Sequence, residues 1–176
     1  MTGDELSIRT QLSDHPDAES LAHLTDRFYL EATRLKAKYR SEITLLVGFE
    51  SEWIRPSSVD LIRGIQEKYH WDLFIGSVHH VHTIPIDFNR KMYEDAREKS
   101  GGSDDTLFED YFDAQHEMLR AIKPPIVGHF DLIRLLSDNP NQSFRRWEQV
   151  WKRIERNLKQ VASYGGILEL NSSALR

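Results

Sequence analysis

The sequence predicts an α/β fold of about four parallel strands alternating with helices, and three observations carry that prediction. Four short apolar runs, ITLLVGFE, WDLFIGSV, PPIVGHFD and ILEL, are too brief for helices and rich in strand-forming residues. The segments before and between them carry apolar residues at three- and four-residue spacing, the signature of one buried helix face. Regular alternation of strand and helix builds a parallel sheet or barrel with right-handed crossovers.

Taken in order, Asp17 to Tyr39 carries Leu21, Leu24, Phe28, Ala32 and Leu35 on one stripe and is expected as an amphipathic helix. Ile43 to Glu50 is expected as a buried strand. In PSSVDLIRGIQEKYH, Ser57 and Asp60 form an S-x-x-D cap ahead of Val59, Ile62, Ile65 and Tyr69, which predicts a second helix. WDLFIGSV is the next strand. Ile84 to Ser103 reads as a long irregular loop, closed by Gly101-Gly102, with a turn of helix near Tyr93. Asp104 to Ile122 returns to helical spacing through Phe108, Tyr111, Phe112, Gln115, Leu119 and Ile122. A strand begins near Pro125, after two prolines that a sheet tolerates only at its entry. Ser143 to Ser163 is the clearest helix, with Trp147, Val150, Trp151, Ile154, Leu158 and Val161 on one side. ILEL closes the series after Gly165-Gly166.

Composition narrows the chemistry. The chain of 176 residues is expected as a single domain, with 39% hydrophobic residues to build its core. A net charge of −5 argues against a nucleic-acid surface, which needs clustered Lys and Arg. The polar opening and the lack of a long apolar run predict neither export nor a membrane span, so a cytoplasmic protein is expected. With zero cysteines, any metal must be held by His, Asp and Glu.

The polar residues fall in a pattern. LLVGFE, FIGSVH and PIVGH each run from apolar residues through glycine to a potential ligand, and the last strand places Glu169 and Asn171 on one face. Strand ends in a β/α barrel meet at one mouth, which would bring Glu50, His79, His129 and Asn171 together. Taken singly, each has a plainer reading: the histidines of VHHVH as solvated loop, Glu50 as an ordinary acid, His129 as a satisfied core group. The recurrence of the ending on successive strands favours a metal site, with ligands suited to Zn, Mn or Fe.

In VGFE, FIGSVHHVHTIPIDF, YFDAQHEMLRAIKPPIVGHFDLIR and SYGGILELNSSALR the chain resembles the polymerase-and-histidinol-phosphatase (PHP) superfamily, and within it the fungal-type histidinol phosphatases. The resemblance spans Ile43 to Arg176. It implies a partial, distorted TIM-like (β/α) barrel, divalent metal ions at its mouth, and hydrolysis of L-histidinol phosphate to L-histidinol and phosphate in histidine biosynthesis. It implies Glu50 as a bridging carboxylate and His79 and His129 as imidazole ligands, while His80 and His82 are not ligands in that pattern. His80, Asn171 and Arg176 are the candidate substrate contacts, Arg176 as a planar fork for phosphate.

The chain departs from the family pattern in two places. It has no H-x-H strand near its start and no D-x-H strand near its end, so the domain is expected to be incomplete at both ends. Such a chain is expected to leave sheet edges unpaired, to self-associate and to hydrolyse substrate slowly. A non-catalytic PHP remnant that binds a metal or a partner, and a PHP phosphoesterase of other specificity, are the alternatives.

Overall fold

A computed structural model describes residues 18–170, with side chains from residue 23 onward. The elements in chain order are α1 (Ala18–Lys38), β1 (Gly48–Glu52), α2 (Ser58–Lys68), β2 (Leu73–Ser77), β3 (His80–Val81), β4 (Ile84–Pro85), α3 (Arg90–Lys99), α4 (Asp104–Ile122), β5 (Ile126–Val127), α5 (Glu148–Ser163) and β6 (Ile167–Leu168). Short 3-10 turns lie at Leu132–Arg134 and Phe144–Arg146.

The expected parallel sheet is present, in the order β1-β2-β5-β6. Ile75 and Gly76 of β2 lie opposite Ile126 and Val127 of β5, which in turn lie opposite Ile167 and Leu168 of β6, all in parallel register. Between β1 and β2 the Ser51 hydroxyl donates to the Ile75 carbonyl at 2.9 Å and the Trp53 N–H donates to the Ser77 carbonyl at 2.9 Å. Both residue numbers rise together, which is the parallel sense. Each step from strand to strand passes through at least one helix, as parallel pairing requires.

The chain forms two compact units. One takes Arg63–Leu73 together with the described chain up to Phe49, and the other takes Glu50–Ile62 together with the described chain from Phe74 onward. In the first, α1 docks through Asp26, Tyr29 and Lys36, which are three and seven residues apart on one helix face. Asp26 accepts from Lys68 at 2.7 Å and from the Tyr69 hydroxyl, and Lys36 pairs with Asp72 at 2.5 Å. Tyr29 packs against Tyr69 and Trp71, with ring centroids 4.6 and 5.0 Å away. The buried stripe therefore differs from the expected one: Leu24 and Phe28 are about half exposed, and Leu21 lies outside the residues whose side chains are described.

The first strand also differs. The run from Ile43 is not a buried strand; Ile43 and Leu46 are exposed, and β1 begins only at Gly48. The Ile43 N–H still donates to the Tyr39 carbonyl, so the chain is leaving a helix there. At Val47 the N–H goes to the Asp72 side chain at 2.7 Å, and no sheet partner takes it.

In the second unit the core is aromatic. Tyr93, Phe108, Tyr111 and Phe112 are buried with Leu107, Met118, Leu119, Ile133 and Val127. α5 lies against α4 through Val150, Ile154 and Val161, all buried. A polar seam runs beside them, in which Arg153 and Arg156 pair with Asp113 at 3.0 and 2.8 Å. The fully buried Asn157 donates to the Phe112 carbonyl at 2.7 Å and to Gln115 at 3.1 Å, so it is satisfied.

Two further pieces of structure lie within and just before the segment expected as a long loop. α3 is a full helix of ten residues, capped by Asn89, whose side chain accepts from the Met92 N–H at 2.9 Å. Only Tyr93 and Ala96 are buried on it, too few for a visible stripe. It is held instead by polar tertiary bonds: the Tyr93 hydroxyl donates to Asp104 at 2.9 Å, and Arg97 to Asp138 at 2.8 Å. β3 and β4 form a hairpin whose two turn residues, His82 and Thr83, both have positive φ, 52° and 67°. That is the conformation of a tight primed turn, usually signalled by Asn-Gly. Among the described residues no helix is long and apolar enough to cross a membrane.

Candidate metal centre

Glu50 and Glu52 lie two apart on β1 and so point to the same face of the sheet. β2 ends at Ser77 and β5 at Val127, each two residues before a histidine, His79 and His129. The parallel register of β2 with β5 sets these two histidines side by side, with ring centroids 5.5 Å apart. The result is a cluster in which one donor atom from each of Glu50, His79 and His129 lies within 4.8 Å of the others. His79 Nε2 is 3.9 Å and His129 Nε2 3.4 Å from the same Glu50 oxygen.

The ring of His79 sits between two carboxylates, since its Nδ1 is 3.9 Å from Glu52 Oε1. Burial lowers the His79 pKa, and the charges of Asp87 and Glu50 oppose that shift while His129 and His80 add to it. The lowered value favours a neutral imidazole, the form that binds a metal. One carboxylate and two imidazoles suit a borderline transition metal such as Zn, Mn or Fe.

The three histidines of VHHVH have separate surroundings. His79 faces Glu50. His80 is buried, 4% exposed, with Nδ1 2.5 Å from Glu52 Oε1. His82 stands at the hairpin tip, its Nε2 2.7 Å from Asp110 and 3.1 Å from the Ser100 hydroxyl, which ties the turn to α4 and to the end of α3. Asn171 and Arg176 lie outside the described residues.

His129 is held from several sides. Its φ is +47°, a left-handed backbone that costs a non-glycine residue about 1–2 kcal/mol. The Tyr111 hydroxyl donates to the His129 carbonyl at 3.1 Å, and Gln115, itself bonded by Asn157, donates to the Phe130 carbonyl at 3.0 Å. Glu169 Oε2 accepts the His129 N–H at 2.9 Å and lies 2.9 Å from its Nδ1. Sequence spacing did not single out Glu52, and it placed Glu169 on the Asn171 face of the last strand without giving it a role. The signal for Glu52 was the E-S-E alternation of β1, and for Glu169 its place on the strand that precedes Asn171.

Gly128 allows these strands to close. A Cβ there would lie 2.6 Å from the Ser77 hydroxyl oxygen and 2.8 Å from a methyl of Ile75. Gly128→Ala is therefore expected to destabilise the chain by about 1–3 kcal/mol through overpacking. Urea unfolding checks this, and a variant as stable as the parent would mean that β2 and β5 have slack.

The family model described as PHP domain matches residues 10–173. This chain belongs to the PHP domain family. Two curated relatives agree with that placement. The PHP chain is 42% identical over 163 residues to a probable histidinol-phosphatase of Schizosaccharomyces pombe, covering 92% of this chain and 53% of the relative. It is 30% identical over 176 residues to a histidinol-phosphatase of Saccharomyces cerevisiae, covering 85% of this chain and 52% of the relative. The PHP chain thus spans about half the length of the curated relatives it matches.

Proposed function

We propose that the PHP chain holds a divalent cation through Glu50, His79 and His129 and uses that site to hydrolyse L-histidinol phosphate to L-histidinol and phosphate. The observation that carries this reading is the meeting of three donor atoms within 4.8 Å, one from β1 and one each from the segments that follow β2 and β5 of the same sheet. The names of the two fungal relatives supply the substrate. A bound divalent ion supplies Lewis acidity toward a phosphoryl oxygen and lowers the pKa of a bound water.

The roles of the chain's own residues follow from their chemistry. Glu50 neutralises positive charge between the two rings. His79 and His129 offer Nε2 lone pairs, with Glu52 and Glu169 on the far side of the rings. Asn171 and Arg176 follow β6, and we assign them to substrate, Arg176 as the fork for phosphate oxygens. The reaction needs no cysteine nucleophile, and we place it in the cytoplasm.

The test is phosphate release from L-histidinol phosphate by the purified chain. We expect release with added Mn²⁺ or Zn²⁺, loss with EDTA, and recovery when metal is restored. Metal binding without hydrolysis would favour a non-catalytic metal-binding protein. Faster release from another monoester would move the substrate assignment elsewhere within the family. Hydrolysis indifferent to EDTA would overturn the site itself.

A further inference from the structure

We infer that Glu169 is the positioning residue of His129: it fixes the ring's tautomer and holds Nε2 toward Glu50. The inference rests on the reading of Glu50, His79 and His129 as a divalent-cation site. A single carboxylate oxygen of Glu169 meets His129 twice, at the backbone N–H and at Nδ1, both at 2.9 Å. Two lone pairs facing at that distance would repel, so Nδ1 carries a proton, and in the neutral ring, the form that binds a metal, the lone pair is then on Nε2. Nε2 is the atom 3.4 Å from Glu50. A carboxylate behind a ligating imidazole also raises its basicity toward a metal.

The fold delivers Glu169 to that position. Its N–H donates to the Val127 carbonyl at 2.9 Å, which continues the parallel ladder one residue past Leu168. With the Tyr111 hydroxyl on the His129 carbonyl, Glu169 fixes the other side of a residue whose backbone is left-handed. Glu169 thus acts through His129 and is not one of the three clustered donors.

The experiment compares the parent chain with Glu169→Ala and Glu169→Gln. ¹⁵N-histidine NMR on the metal-free chain reads the His129 tautomer, and competition with a chromophoric chelator reads Zn²⁺ affinity. The parent is expected to carry the proton on Nδ1. Glu169→Ala is expected to lose that preference and about 10–100-fold in Zn²⁺ affinity. Glu169→Gln keeps an acceptor and is expected to lose about tenfold or less. An unchanged tautomer in Glu169→Ala, or unchanged affinity where the parent binds Zn²⁺, overturns the inference. A parent chain that binds no Zn²⁺ sinks the cation site, while the metal-free tautomer comparison still decides the role of Glu169. Should Glu169→Ala fail to fold by circular dichroism, Glu169→Leu, which also offers the ring no acceptor, takes its place: loss of the Nδ1–H preference is expected, and an unchanged tautomer there overturns the inference.

Discussion

His129→Ala is expected to lower the affinity of the chain for Mn²⁺ or Zn²⁺ by more than about 100-fold, beyond the usual effect of removing a supporting group. The size follows from the geometry. His129 Nε2 is the nearest nitrogen to Glu50 in the cluster, and groups from three other elements hold its position: Tyr111 and Glu169 directly, and Gln115, itself bonded by Asn157, through the Phe130 carbonyl. The ring is about a quarter exposed, so its removal leaves no large buried cavity and the fold should persist. Isothermal titration with circular dichroism as the fold control measures both. Affinity within about threefold of the parent, less than 0.7 kcal/mol by the tenfold-per-1.4 relation, would place the metal on other residues.

Phe112→Ala is expected to cost about 3–5 kcal/mol of stability, a large part of the ~5–15 kcal/mol available to a folded domain. The Phe112 ring is fully buried, with Tyr111, Phe144 and Phe130 rings at 5.2, 5.6 and 5.8 Å. Its carbonyl accepts from Asn157 and Arg156, so α4 and α5 meet at this residue. Because Phe130 follows His129 directly, the cavity should also loosen the metal centre and weaken cation binding. Urea unfolding gives the stability, and a loss under about 1 kcal/mol would mean that the aromatic cluster collapses around the gap.

Helix α4 was legible from end to end because every local signal agrees. Gly101 and Gly102 take positive φ before it, Phe108, Tyr111, Phe112, Gln115 and Leu119 are all buried, and Lys123 turns left-handed ahead of two prolines. Helix α3 was legible only as a turn near Tyr93, because eight of its ten residues are outside the core and Arg97 bonds to Asp138, which is distant in sequence. The β3–β4 hairpin escaped for a related reason. Its turn uses His-Thr where composition rules look for Asn-Gly, and His82 is secured by Asp110 from another element.

For the site, the strand endings read in the sequence named Glu50, His79 and His129, whose donor atoms lie within 4.8 Å of one another in the structure. The recurrence of apolar run, glycine and ligand selected Glu50, His79 and His129 without any contact being known, because strand ends in a parallel fold must face a common side. Only the tertiary structure decided how those donors are held. The distances depend on the strand order β1-β2-β5-β6, and the supporting carboxylates come from opposite sides of that sheet, Glu52 on β1 and Glu169 directly after β6. A single carboxylate carries no local spacing that marks its partner. Its role exists only once the parallel register has set it against one nitrogen of one histidine.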